Sequence, residues 1–165
     1  MTARRFALHA AIASGLLGAI GVPPASAQSV QLVRDCLTET VAALRMSDLA
    51  KAIASCDEIA NNTATSRDLR GQALGQRGLL YAKRWSLVEI PQDAQLGITD
   101  ITDALQANAF PKDRKQHLLT IRGQLYQATG QTRRAVDDFK AVLTEAPNNE
   151  AARAGLRKAG TPDSY

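Results

Sequence analysis

Residues 119–147 decide the fold class of this 165-residue chain, and they read LTIRGQLYQATGQTRRAVDDFKAVLTEAP. Small and apolar side chains in the second half recur at intervals of three and four, at Ala135, Phe139, Val142 and Leu143. This spacing places them on one face of an α-helix. Gly130 falls where a turn is expected, and Pro147 ends the second apolar stretch because proline cannot continue the helical hydrogen-bond ladder. The segment therefore predicts two amphipathic helices joined by a short turn.

The same pattern occurs a second time upstream, so the chain is internally repetitive. Arg77-Gly78-Leu79-Leu80-Tyr81 corresponds to Arg122-Gly123-Gln124-Leu125-Tyr126. An apolar-faced stretch follows each copy, Gly97 to Leu105 in one and Ala135 to Leu143 in the other, and a weaker third copy covers Ala52 to Ile59. Aromatic residues make up only 4% of the chain, and the abundant Ala, Leu, Gln and Arg favour helix over strand. The sequence therefore predicts an all-α protein.

The copies resemble the tetratricopeptide repeat (TPR), a helix-turn-helix unit with small, aromatic and proline residues at fixed offsets. The last copy matches the repeat through Leu119, Gly123, Tyr126, Ala135, Phe139 and Pro147. The middle copy matches through Leu74, Gly78, Tyr81, Gly97, Ile101 and Ala104, whereas the first copy is degenerate. The resemblance implies a short α-solenoid of about three antiparallel helix pairs with a C-terminal capping helix.

The repeat assignment sets the expected boundaries. One repeat domain is expected over residues 28–159, with units near 33–65, 71–111 and 116–149. The helix pairs are expected near 29–46 and 48–61, 66–83 and 92–108, and 112–128 and 132–145. A final helix over 149–159 would close the stack with a polar outer face. Residues 160–165 are predicted to form a disordered tail.

The N-terminal segment has the pattern of a secretory signal peptide. Arg4 and Arg5 precede an apolar stretch from Phe6 to Val22, and small residues follow at Ala25-Ser26-Ala27. We expect cleavage after this tripeptide, so that residues 1–27 are removed and the mature protein is periplasmic or secreted. The alternative, a retained membrane helix, is disfavoured because the apolar run is short and interrupted by glycine. No membrane insertion is expected after cleavage.

Removal of the signal peptide also changes the charge of the chain. The full sequence has 20 Lys plus Arg and 16 Asp plus Glu, and without Arg4 and Arg5 the balance is 18 against 16. The remaining basic residues are spread along the chain and mixed with acids. A nucleic-acid partner is therefore not expected.

The two cysteines, Cys36 and Cys56, are predicted to form a disulfide. An even number of cysteines in an exported protein favours pairing. In the repeat alignment the two fall at facing positions of the first helix pair, where a bridge would hold together a unit that lacks the motif glycine and aromatic residues. Buried free thiols and a redox-active pair are the alternatives, although a catalytic pair more often has Cys-x-x-Cys spacing.

Two Arg–Asp ion pairs are predicted because the same charges occur in both good copies. Arg77 and Arg122 precede the motif glycines, and Asp100 and Asp138 precede the apolar anchors of the second helices. The first copy has neither member. We expect pairs Arg77–Asp100 and Arg122–Asp138 within the units; the alternative is that the charges are solvated independently.

No residue pattern points to catalysis, a cofactor or a metal. His117 is the one histidine of the mature chain, and a single histidine supplies neither a metal cluster nor a catalytic triad. The sequence contains no phosphate-binding glycine loop, no His-Glu-x-x-His motif and no nucleophile elbow. We therefore expect a protein without catalytic, cofactor-binding or metal-binding residues.

The resemblance implies a groove, lined by the first helices of successive units, that holds a peptide or a partner protein. By offset from the motif, its candidate residues are Gln72, Gln76, Leu79, Lys83, His117, Thr120, Gln124 and Gln127. The alternative is that this face is only the solvated side of two helices. Trp85 lies in a segment, 84–91, that the repeat spacing marks as an inserted loop. It would either contact the partner or fold back into the groove.

These observations predict a periplasmic scaffold or adaptor whose groove binds another protein. Two alternatives stay open. One is a structural envelope module that self-associates through its exposed ends or the Trp85 segment. The other is a small-molecule-binding or enzymatic envelope protein that uses the same groove.

Overall fold

The computed structural model describes residues 25–37, 41–107 and 110–161, and the regular structure within these ranges is entirely helical. The elements are α1 Ala25–Cys36, a 3-10 turn Val41–Ala43, α2 Met46–Asn61, α3 Arg67–Val88, α4 Pro91–Ala107, α5 Lys112–Ala128, α6 Thr132–Glu145 and α7 Glu150–Lys158. The predicted all-α class is confirmed for these residues. Most of the predicted signal peptide (residues 1–24) and the end of the predicted tail (residues 162–165) lie outside the described part of the chain.

Several helix ends follow from local side chains. The Ser66 hydroxyl accepts a hydrogen bond from the N–H three residues later at 3.3 Å, which begins α3. At the start of α7, the Asn149 amide oxygen accepts from the Ala152 N–H at 3.0 Å. Both bonds satisfy first-turn N–H groups that have no partner within the helix. Glu89 ends α3 in a left-handed conformation, φ 50°, and Pro91 then opens α4 because its fixed φ suits a first turn.

Two helix C-terminal ends differ from the prediction by five residues or more. The first helix ends at Cys36 rather than near residue 46, and the described part of the connection to α2 contains the turn Val41–Ala43. The third helix continues to Val88, past its predicted end near residue 83. The surplus residues of the middle repeat therefore lengthen a helix, and the predicted inserted loop around Trp85 does not exist. The repeat spacing shows how many surplus residues the middle copy has, but it does not show whether they extend a helix or form a loop.

Each helix packs against the next one in the chain, and α3 also contacts α5 while α5 contacts α7. Where α3 crosses α4, a Cβ on Gly78 would lie 2.7 Å from Cγ1 of Ile101. Where α5 crosses α6, a Cβ on Gly123 would lie 2.7 Å from the ring of Phe139. A side chain at either glycine would push the two helices apart. The motif glycines therefore permit the close crossing that their sequence position predicts.

The buried apolar residues form two clusters. The main cluster joins helices from α3 to α7 and includes Phe139, which is 0% exposed. A second cluster joins α1, α2 and α3 around the buried residues Cys36 and Cys56. Helix α3 contributes to both clusters, with Leu79 in the main cluster and Ala73 and Leu80 in the second.

The predicted cysteine pair lies at disulfide-bonding distance. The Sγ atoms of Cys36 and Cys56 are 2.16 Å apart and their Cα atoms 4.7 Å apart. Cys36 is the last residue of α1, and Cys56 lies within α2. The bridge therefore fastens α1 to the rest of the second core cluster.

Reduction of this disulfide is expected to lower the free energy of unfolding by about 3 kcal/mol, because opening the loop between Cys36 and Cys56 returns entropy to the unfolded chain. Urea unfolding followed by far-UV circular dichroism, with and without dithiothreitol, measures the change. The Cys36→Ala/Cys56→Ala variant is the control and should unfold at the same urea concentration in both conditions. If dithiothreitol also leaves the urea midpoint of the wild-type protein unchanged, the two cysteines are not bridged in solution.

Candidate functional site

A pocket of about 420 Å³ opens between α3, α5 and the Val41–Ala43 turn. Its lining residues are Val41, Ala42, Leu79, Ala82, Lys83, Trp85, Ser86, Arg114, His117, Ile121, Gln124 and Leu125. Most of the lining residues on each helix recur at intervals of three or four, so each helix presents one face to the pocket. The volume lies within the range of about 300–1,000 Å³ that is typical of protein ligand pockets.

Apolar side chains form most of the pocket wall. Leu79 and Leu125 are 5% and 2% exposed and belong to the main core cluster. Ile121 and Trp85 are half-buried and pack against the same cluster. Because these four side chains are held by the packed core, the apolar part of the wall is formed before any ligand binds.

Polar side chains occupy the remainder of the wall. Lys83 projects from α3, and Arg114, His117 and Gln124 project from α5. The Arg114 guanidinium donates a hydrogen bond to the side-chain oxygen of Gln76, which holds the arginine in the wall. Lys83 makes no ion pair with any other residue that the structure describes.

The pKa of His117 is lowered from its usual value of 6.5. Partial burial of the ring is the main cause, because burial disfavours the charged imidazolium, and the positive charge of Arg114 adds to the effect. At pH 7 the ring is therefore neutral and can donate one hydrogen bond and accept another. An anion bound beside the ring would shift the pKa in the opposite direction.

Half of the predicted groove residues line the pocket. They are Leu79, Lys83, His117 and Gln124. Trp85, the predicted contact of the inserted segment, lines the same pocket from the C-terminal part of α3 and is the sole tryptophan of the chain. These four groove residues and the predicted Trp85 contact thus lie on one surface.

The other predicted groove residues lie elsewhere. Gln76 and Thr120 are buried, at 1% and 5% exposure. Gln76 is bonded by Arg114 of the next unit, and the Thr120 hydroxyl donates to the carbonyl oxygen of Gln116 in its own helix at 2.9 Å. The Gln127 amide donates to a carbonyl of α7 at 2.7 Å, and Gln72 is half-buried outside the pocket wall. Hydrogen bonds to neighbouring helices therefore hold Gln76 and Gln127 away from the groove, and Thr120 and Gln72 are not part of the pocket wall.

Arg114 and Ile121 are pocket residues that the sequence analysis missed. With His117 and Gln124 they recur at intervals of three and four along α5, so they share one helix face. Extending the groove pattern one turn toward the N-terminus would have identified Arg114. It was missed because the repeat unit is expected to begin only near residue 116.

Both predicted ion pairs are confirmed, and each is bidentate. The Arg77 guanidinium donates to the two carboxylate oxygens of Asp100 at 2.7 and 2.8 Å. The Arg122 guanidinium donates to those of Asp138 at 2.8 and 2.7 Å. Each arginine also donates to a side chain of the preceding helix pair. The pairs therefore connect the two helices within a unit and the unit to its neighbour.

A third bidentate pair, Arg84–Asp93, was not predicted, and its two hydrogen bonds measure 2.7 and 2.6 Å. Arg84 follows Arg77 by seven residues on α3, and Asp93 precedes Asp100 by seven on the antiparallel helix α4. This matched spacing was the available signal. It was not recognised because Arg84 was assigned to the inserted loop.

Within residues 25–37, 41–107 and 110–161, no three His, Cys, Asp or Glu side chains converge as a metal site would require. None of the helices in these ranges combines the length and the apolar character needed to cross a membrane. No protein-family model matches the chain, and no curated protein or solved structure matches it.

Proposed function

We propose that this chain is an exported TPR-type adaptor whose pocket between α3 and α5 binds a segment of a partner protein, and that it catalyses no reaction. The observation that carries the proposal is the convergence of Leu79, Lys83, His117 and Gln124 with Trp85 on a single pocket. Repeat offsets select the first four from the sequence alone. The pocket therefore contains half of the residues that the repeat interpretation assigns to a groove.

Equivalent contacts in the two good units support the repeat interpretation. Gly78 faces a second-helix residue, Ile101, at the α3–α4 crossing, and Gly123 faces Phe139 at the α5–α6 crossing. A bidentate Arg–Asp pair lies at the same repeat position in each unit. Such equivalence is expected when each unit buries its apolar face against its neighbours.

Export to the periplasm or beyond the cell is part of the proposal. It is supported by the basic start, the apolar stretch and the small residues of segment 1–27. The bonding distance between Cys36 and Cys56 agrees with an oxidising compartment.

The pocket offers a bound segment both apolar contact and polar anchoring. An apolar side chain of the partner would bury surface against Trp85 and Ile121. Tryptophan is enriched among the residues that dominate binding energy at protein interfaces. Gln124 is exposed at the pocket rim and carries an amide that can pair with a peptide backbone.

Gln124→Phe is expected to weaken peptide binding at least tenfold, which corresponds to a loss of about 1.4 kcal/mol in binding free energy. The reason is that the added ring would fill the mouth of the pocket. Peptides are first selected from a random phage-displayed library on the immobilised mature protein. Binding of the recovered peptides is then titrated through the fluorescence of Trp85. The matched control is Gln95→Phe, the same exchange at an exposed position of α4 outside the pocket, and it should bind like wild type.

Peptides that bind wild type and Gln124→Phe equally well would place the binding surface elsewhere and reject the pocket. Recovery of no peptide, together with a light-scattering mass above that of the monomer, would favour the self-associating module instead. The exposed apolar residues Leu87, Val88 and Ile90, at 48%, 48% and 42% exposure, are the surface available for such association.

A further inference from the structure

The charged groups in the described pocket wall are all basic. Lys83 enters the wall from α3, and Arg114 and His117 enter it from α5. The 3-10 turn contributes only the apolar residues Val41 and Ala42, and no described lining residue is an acid. Low-dielectric walls that carry charge of one sign concentrate the electric field in a cleft. The described wall is therefore suited to an anion.

The buried carboxylates beside α3 are paired on another face of the helix. Asp93 accepts both its hydrogen bonds from Arg84, and Asp100 accepts from Arg77. These arginines are seven residues apart, so they share the face of α3 that packs on α4. Lys83 lies on the pocket face and has no ion-pair partner among the described residues. Its charge is therefore available to a ligand.

An anion in this pocket would also lie beside apolar surface. Leu79, Trp85 and Ile121 belong to the same wall as the basic groups. A bare inorganic anion would leave these side chains without contact, and a purely apolar group would bury Lys83 without a partner, which is costly. The ligand that satisfies both parts of the wall carries a carboxylate next to an aliphatic or aromatic group.

We infer that the pocket binds an Asp or Glu side chain of the partner segment together with a large apolar residue beside it. The carboxylate pairs with Lys83 beside the positive charge of Arg114, and the apolar side chain packs against Trp85 and Ile121. This inference rests on the proposed function, since it names the part of the bound segment that enters the pocket. Arg114, whose guanidinium donates to Gln76, adds positive charge to the wall near this carboxylate.

His117 makes the affinity for such a ligand depend on pH. In the free protein, burial and Arg114 hold the pKa of His117 below 6.5, and a bound carboxylate raises it. The complex therefore takes up more protons than the free protein as the pH falls below about 6.5, so binding tightens in that range. Lys83 and Arg114 are the other charged groups of the described wall.

The inference is tested with the peptides recovered by phage selection, synthesised with acetylated and amidated ends so that side chains supply every carboxylate. A Glu→Gln or Asp→Asn exchange in the peptide should weaken binding to wild type about tenfold. Lys83→Gln should weaken binding of the acidic peptide by a similar factor and that of its neutral counterpart by less than twofold. Lys158→Gln, on the exposed surface of α7, is the charge control and should change neither.

The pH dependence supplies a second, independent measurement. Wild type should bind the acidic peptide several-fold more tightly at pH 5.5 than at pH 7.5, and His117→Gln should abolish the difference. Circular dichroism on each variant verifies that it is folded under the titration conditions. Two results together would show that the carboxylate is not bound in this pocket. Lys83→Gln would bind the acidic peptide as tightly as wild type does, and binding of the acidic peptide to wild type would depend on pH no more than binding of the neutral peptide.

The selection separates failure of this inference from failure of the proposed function. Peptides that need the open pocket but carry no acid next to an apolar residue would overturn the acidic specificity and leave the adaptor function standing. A neutral peptide with a free C-terminus that binds as tightly as the capped acidic peptide would assign the basic groups to a terminal carboxylate, which also overturns the inference. Recovery of no pocket-dependent peptide rejects both.

Discussion

Phe139→Ala is expected to lower the free energy of unfolding by about 3–5 kcal/mol. Phe139 is 0% exposed, and its ring packs against Gly123 of α5 and Gly155 of α7. Because neither glycine has a side chain that could move into the space, the cavity left by the ring is expected to persist, and a persistent cavity places the loss in this high range. Thermal unfolding by circular dichroism should show a midpoint lower by roughly 10–20 °C.

The same exchange at Phe110 is the matched control. Phe110 is half-buried at the edge of the main core, above Gly75. Phe110→Ala should therefore cost only about 1–2 kcal/mol, since less apolar surface leaves contact with the protein. Equal losses in the two Phe→Ala variants would contradict the central position of Phe139.

Gly155→Ala tests the opposite change, because the added methyl group would collide with the Phe139 ring. This overpacking of the core is expected to lower the free energy of unfolding by about 1–3 kcal/mol.

The two good helix pairs were predictable because their determinants are local. Gly78 and Gly123 mark the close helix crossings, and apolar residues at helical spacing mark the buried faces. The Arg77–Asp100 and Arg122–Asp138 pairs were predictable because each pair recurs at one repeat position. The cysteine pair was predictable from the count, the expected compartment and the repeat alignment.

What was missed depends on contacts between units or on the length of a helix. Gln76 has the offset of a groove residue, but Arg114 of the following unit covers its amide. A repeat offset describes one unit and contains no information on the neighbour that packs over it. Trp85 was assigned to a loop because the surplus residues interrupt the repeat spacing, yet they continue α3 to Val88. The position of Trp85 in the pocket wall follows from that continuation.

Arg122→Ala is expected to cost about 3–5 kcal/mol, because it leaves the Asp138 carboxylate, 8% exposed, without its charged partner. Arg122 also donates to Thr102 at 3.1 Å and lies over the Tyr126 ring at 5.7 Å. Burial alone would lower the pKa of Arg122, but the hydrogen bond and charge of Asp138 raise it, so the folded state favours the charged pair. Urea unfolding of Arg122→Ala, of Asp138→Ala and of the double variant measures the coupling between the two residues.

The double variant should be less destabilised than the sum of the single variants, because most of the single-variant loss is the penalty of one buried unpaired charge. The exposed pair Lys112–Glu145 is the control. Its charged groups are 3.8 Å apart and its side chains are 66% and 50% exposed, so Lys112→Ala should cost less than about 1 kcal/mol.

Arg122 is not part of the pocket wall. Folded Arg122→Ala should therefore bind the selected peptides as tightly as wild type. Unchanged stability combined with lost peptide binding would show that Arg122 contacts the partner and does not act as a structural tie between α5 and α6.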